Sequence, residues 1–110
     1  MLIDDERVQA AFNALEQTAQ DLPEARGRRV YLEAASKSIK AKLMADSKAT
    51  SVAAKECDAY AHSNYEIHIE GLREAVIEEE KLRLYRDNAA ITIDAWRTQQ
   101  STLRSMGKIG

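Results

Sequence analysis

The sequence predicts an all-α fold: an elongated antiparallel helical hairpin, coiled-coil-like in its packing, with one long C-terminal helix. Three observations carry that expectation. In 110 residues there are one proline and four glycines, too few breakers to punctuate a β fold that needs a turn every several residues. Aromatic residues make up only 5% of the chain, while Ala, Leu, Glu, Lys, Arg and Gln, the strong helix formers, abound. The last part of the chain repeats apolar residues at steps of three and four.

Taken in order, "DDERVQAAFNALEQTAQ" places Val8, Ala11, Phe12, Leu15 and Ala19 at helical spacing, with Asp4, Asp5 and Glu6 where acids favour a helix start. A first helix is expected over about residues 4–20. "DLPEARG" follows, and Asp21 with Glu24 reads as a capping box with Pro23 in the first turn of a new helix. That second helix, 22–46, carries the stripe Leu32, Ala35, Ile39 and Leu43, with Tyr31 beside it. After "DSKAT", Thr50 or Ser51 caps a short helix over 51–62 whose apolar side is Val52, Ala53, Cys57, Tyr60 and Ala61. His62, Ser63 and Asn64 form a soft spot. From there a helix over 65–106 carries the seam Leu72, Ala75, Leu82, Ala89, Ile93, Trp96 and Leu103, interrupted by Glu79, Arg86 and Gln100.

Lengths set a further expectation. At the helical rise, the last helix spans roughly 63 Å, the second about 36 Å and the first about 25 Å. The long helix needs both shorter ones end to end, or a second copy of itself, to cover its apolar stripe. A homo-oligomer built along the last helix is therefore expected.

The net charge of −2 conceals a segregation. Residues 1–24 carry six acids against Arg7 alone, and 26–48 carry seven bases against Glu33 and Asp46. Residues 66–80 carry six glutamates against Arg73, and 81–110 carry six bases against Asp87 and Asp94. Packing a basic block on an acidic one makes this a folding and register device. The competing reading makes the basic stripe Arg26, Arg29, Lys37 and Lys40, with Arg97 and Arg104, a contact surface for nucleic acid or a partner. Trp96 shares the seam, so its ring reads as a packing anchor. Arg97 and Arg104, seven residues apart beside it, keep alive a base-stacking or partner-binding role.

The single cysteine, Cys57, allows no internal disulfide, and a reducing interior fits it. The opening "MLIDDERVQAAF" lacks the basic start and apolar run of a secretion signal, and no stretch approaches the roughly 18 apolar residues of a membrane span. The expectation is a soluble, intracellular protein that engages no membrane.

No catalytic constellation stands out, neither a phosphate loop, a Cys-x-x-Cys pair nor a nucleophile elbow, and no cofactor is expected. Cys57, Asp58 and His62, with His68 or Glu66 near, are one group able to hold a zinc or nickel ion. Their plainer reading is a helical ion pair beside a buried small thiol. Glu78–Glu80 lack the Glu-x-x-His partners of a di-metal bundle and read as a solvated face.

The segments "ATSVAAKECDAYAHSNYEIHIEGLREA" and "AAITIDAWRTQQSTLR" resemble a group of small α-helical proteins of tailed bacteriophages and prophages. The matching residues are Val52, Ala53, Glu56, Ala59, Ser63, Tyr65, Ile93, Trp96, Arg97 and Ser101, over the last two-thirds of the chain. The motif has no chemistry attached to it. The resemblance implies a non-enzymatic accessory role in phage DNA recombination or replication, through oligomerisation and binding of DNA or a DNA-processing protein. A protein-only adaptor, a virion-assembly factor or an inhibitor of a host enzyme is the alternative.

Overall fold

The computed structural model describes residues 2–109, and among them the chain is all-α. Three helices follow one another: α1 (Asp5–Asp46), α2 (Val52–Ala61) and α3 (Ser63–Ile109). The Asp4 carboxylate accepts from the Arg7 N–H at 2.8 Å, which ties down an orphan donor at the start of α1. Ser51 caps α2, its side chain accepting from the Ala54 N–H at 3.1 Å. His62 ends α2 in an extended conformation, with φ −71° and ψ 138°. The expected soft spot at 62–64 is thus a single extended residue between two helices.

The expected break between residues 20 and 22 is absent. α1 runs through Pro23 as one helix of 42 residues. Asp21 caps nothing and instead accepts from the Gln17 side-chain amide one turn earlier, at 2.9 Å. The reason lies on the opposite face. Val8, Ala11, Thr18, Leu22 and Ala25 are all buried, and Arg29, Leu32, Ser36, Ile39 and Leu43 continue half-buried in the same alternation of three and four. The repeat stays in phase across the proline, so a break would pull Leu22 and Ala25 off that face. Burying Leu22 alone contributes about 1.5–3 kcal/mol, comparable with the ~3 kcal/mol that an interior proline costs. Pro23 itself lies on the exposed side.

Other local expectations shift with that face. Thr18 replaces Phe12 and Ala19 as an inward residue, and both of the latter are exposed. The Thr18 hydroxyl donates back to the Ala14 carbonyl at 2.8 Å, so burial leaves it no open donor. In α2 the expected apolar side is turned outward: Val52, Ala53, Cys57, Tyr60 and Ala61 are exposed, and Ala59 is the buried residue. A salt bridge at 2.6 Å between Lys40 of α1 and Glu56 of α2 holds the Glu56–Ala59 side inward.

The chain divides into two compact units. The first comprises Met1–Pro23 with Glu80–Gly110, the second Glu24–Glu79. Within the first, α1 and α3 run antiparallel, since Ile3 faces Gln99 while Ala11 and Ala14 cluster with Ala89 and Ile93, Leu15 packing alongside. Four of those five side chains are small or β-branched, so this core is thin, and three alanines let the helix backbones come close. The Gln99 amide clamps the entering strand of chain, its Oε1 accepting from the Ile3 N–H at 2.7 Å and its Nε2 donating to the Ile3 carbonyl at 2.9 Å. Within the second unit, α1 and α3 are again antiparallel, with Arg29 beside Glu79 and Ser36 beside His68. Ala25, Ala59, Ala75 and His68 are its buried residues.

The seam of α3 follows the expected repeat, polar layers included. Ala75, Ala89 and Ile93 are buried, while Leu72, Glu79, Leu82, Arg86, Trp96 and Gln100 are half-buried. Leu103 is the exception, at 45% exposed. The last described pairing of the N-terminal segment with α3 is Ile3 with Gln99, one turn short of it. No helix is long and apolar enough to cross a membrane among the described residues.

Candidate functional site

The basic stripe Arg26, Arg29, Lys37 and Lys40 was a candidate contact surface, and most of it is already engaged. Arg26 and Arg29 both pair with Glu79, the former at 3.4 Å, and Arg29 also holds Glu33 at 3.0 Å. Arg28 pairs with Glu78. These contacts lay the basic block of α1 on the acidic block of α3, as the register reading of the charge alternation expects. The hydrogen bonds that the Arg29 guanidinium donates to Glu79 and then to Glu33 push it further above its usual range. The Glu79 carboxyl is held below 4.5 by the Arg29 hydrogen bond, against some desolvation. Lys40 is bound to Glu56, and its Nζ lies 4.8 Å from the centre of the Tyr60 ring. Those contacts raise the ammonium's affinity for its proton, Glu56 first and Tyr60 second. Of the stripe, only Lys37 is exposed without an ion pair among the described residues. A DNA backbone would have to strip Arg26, Arg29 and Lys40 of their carboxylates to use them.

The metal candidates are not brought together. Asp58 accepts from the Ser47 hydroxyl at 2.5 Å, and Cys57 is exposed rather than buried. His62 sits at the helix end, its Nδ1 accepting from the Asn64 N–H at 3.0 Å. His68 lies on the α3 seam with Nε2 2.7 Å from the Ser36 hydroxyl, near the Tyr65 ring. No group of three or more His, Cys, Asp or Glu side chains able to hold a metal ion occurs among the described residues. Tyr60 and Tyr65 meet edge to face, with centroids 5.2 Å apart, and finish the α2–α3 corner.

Arg97 and Arg104 differ from the α1 stripe. Both are exposed, and neither forms an ion pair among the described residues. Six of the chain's nine arginines do form one: Arg26, Arg28, Arg29, Arg73, Arg83 and Arg86. Trp96, next to Arg97, is half-buried on the seam, and its Nε1 is buried without a hydrogen-bond partner. Leaving that donor unpaired costs about 1–3 kcal/mol, which the burial of the ring must exceed. A half-buried ring on the seam fits a packing anchor better than a free stacking platform.

On another face of α3, an open groove of about 540 Å³ is lined by Leu2, Ile3, Ala95, Gln99, Leu103 and Met106, with two threonines. Its lining is mostly apolar, and Leu2 and Met106 are 70% and 63% exposed. Sequence reasoning placed Leu103 in the seam and so missed this groove.

No family model matches the chain, and neither does any curated protein or solved structure.

Proposed function

We propose that the chain is a non-enzymatic helical accessory protein that assembles with copies of itself and docks on a protein of phage DNA metabolism. The observation that carries this reading is the end of the first unit. There an apolar groove opens at Leu103 and Met106, while Arg97 and Arg104, on the other side of α3, form no ion pair among the described residues. Exposed apolar surface of this kind favours a protein partner. The resemblance of "AAITIDAWRTQQSTLR" to tailed-phage helical proteins supports placing that partner among DNA-processing proteins.

Direct DNA binding is the second reading, and Arg97 and Arg104 favour it. The ion pairs of Arg26, Arg29 and Lys40 count against a large footprint. Two measurements separate the readings. Sedimentation at micromolar concentration should give a mass above one chain, and titration with single- and double-stranded oligonucleotides at low salt should give no saturable binding. Saturable binding with a steep salt dependence would replace the protein reading by the DNA one. A strictly monomeric chain that retains neither DNA nor a stoichiometric protein would remove both.

A further inference from the structure

Ala11, Ala14 and Ala89 are buried where α1 meets α3 in the first unit, and their side chains stop at Cβ, which leaves an open depression beside the contact. It holds about 210 Å³, roughly seven times the space of a water molecule, and is separate from the groove at Leu103. Arg7 and Ala14 are seven residues apart in α1, as Tyr85 and Thr92 are in α3, so each pair falls along one flank of its helix. Ile3 faces Gln99 in the antiparallel pairing. Arg7 therefore lies toward the Thr92 end of the depression and Ala14 toward the Tyr85 end.

The lining is uneven in charge. Arg7 is its only charged side chain, exposed and without an ion pair among the described residues. The adjacent Asp4 carboxylate accepts from the Arg7 main-chain N–H instead. The Thr92 hydroxyl donates to the Asn88 carbonyl at 3.0 Å, which leaves the Arg7 guanidinium, the Asn88 amide and the Tyr85 phenol as the open donors. A cation would find no carboxylate among these groups, and a neutral ligand would leave the guanidinium unanswered. A carboxylate meets it with two parallel hydrogen bonds.

We propose that this depression binds a small aromatic carboxylate, its anionic group on Arg7 and its ring laid over the three alanines toward Tyr85. The alanine methyls offer a low apolar surface to a ring face, and the Tyr85 ring, 53% exposed, closes the far end. The site goes beyond the adaptor reading and does not depend on it.

Benzoate is the probe, titrated into the full-length chain and followed by backbone amide chemical shifts. Saturable shifts centred on Arg7, Ala14, Tyr85 and Thr92 are expected, with a Kd of about 1 mM because the depression is open on one side. Benzamide keeps the ring without the charge, and acetate keeps the charge without the ring; each should bind about tenfold more weakly or worse. Arg7→Gln should weaken benzoate by about tenfold or more and leave the unfolding midpoint in place, since that guanidinium holds no carboxylate of the fold. Arg97→Gln removes the same charge elsewhere on the unit and should leave benzoate affinity unchanged. The proposal is overturned by shifts that do not saturate or centre on other residues, and by benzamide or acetate matching benzoate. Equal losses from Arg7→Gln and Arg97→Gln would overturn it as well. The comparison of the three probes uses the wild type, so it decides the matter even where a variant fails to fold.

Discussion

Replacing Pro23 by alanine should stabilise the chain, because α1 is continuous there. Inside a helix, proline removes one hydrogen bond and crowds the carbonyl four residues earlier, which here belongs to Ala19. The full penalty relative to alanine is about 3 kcal/mol. Ala19 and Pro23 are both exposed, so water satisfies part of what the carbonyl loses, and a gain of roughly 1–3 kcal/mol is expected. That corresponds to a rise of about 4–12 °C in the unfolding midpoint for a chain of this size. Thermal and urea unfolding followed by circular dichroism at 222 nm measure it. Asp21→Ala supplies the opposite arm. If Asp21 capped a new helix, its loss would cost about 0.5–2 kcal/mol, and Pro23→Ala would gain nothing, since proline suits a first turn. In a continuous helix Asp21→Ala removes only the contact with Gln17, worth about 0.2–0.5 kcal/mol. A neutral Pro23→Ala together with a costly Asp21→Ala would refute the unbroken α1.

Three further outcomes follow from the packing. Ile93→Ala empties the largest side chain of the thin Ala11–Ala14–Ala89–Ile93 cluster and should cost about 2–4 kcal/mol, read as a lower urea midpoint at unchanged slope. Ala89 is buried against Ala11 and Ala14, so Ala89→Leu should push the helices apart and cost about 1–3 kcal/mol; a stabilised variant would mean that the open depression these alanines line takes the larger side chain. Glu79 titrates below its ordinary 4.5 when folded, so its contribution is present above pH 4.5 and is lost as pH falls through the lower, folded value. Acid unfolding of the wild type should accordingly steepen below pH 4.5, and Glu79→Gln should flatten that limb while lowering stability at neutral pH.

What the sequence disclosed was the period, and what it hid was the phase across a breaker. The α3 seam was legible because Leu72, Ala75, Leu82, Ala89, Ile93 and Trp96 are apolar and unbroken by proline, so spacing alone names the inward face. In α1 the same spacing passes through Thr18, Arg29 and Ser36, which read as surface residues, while the apolar Phe12 invites a different face. Pro23 and the Asp21–Glu24 spacing then offered a local start signal that tertiary burial of Leu22 and Ala25 overrides. α2 failed for the same reason: a ten-residue helix is oriented by what it can pair with, and Lys40 with Glu56 outweighed a weak apolar side. The candidate site divided likewise. Charge alternation showed that the basic block of α1 would meet the acidic block of α3. Yet residues 1–24 and 81–110 form no ion pair with each other among the described residues, and only geometry distinguishes arginines that find a glutamate there from Arg97 and Arg104, which do not.

The polar layers on these faces explain how so alanine-rich a chain holds one register. Alanine against alanine differs little from one alignment to a slip of one repeat, so the apolar seam by itself discriminates weakly among offsets. Arg29 against Glu79 and Ser36 against His68 in the second unit, and the Gln99 clamp on Ile3 in the first, are satisfied in only one alignment. Displaced by one repeat, Arg29 would lose Glu79 and the His68 ring would lose the Ser36 hydroxyl, each leaving a half-buried or buried polar group without its partner. Burial of such groups adds little stability, since desolvation offsets much of the attraction. Their effect is to penalise the wrong alignments, as a polar residue in a coiled-coil seam does. An arginine whose carboxylate lies across the seam, as Arg29 has in Glu79, is committed to register.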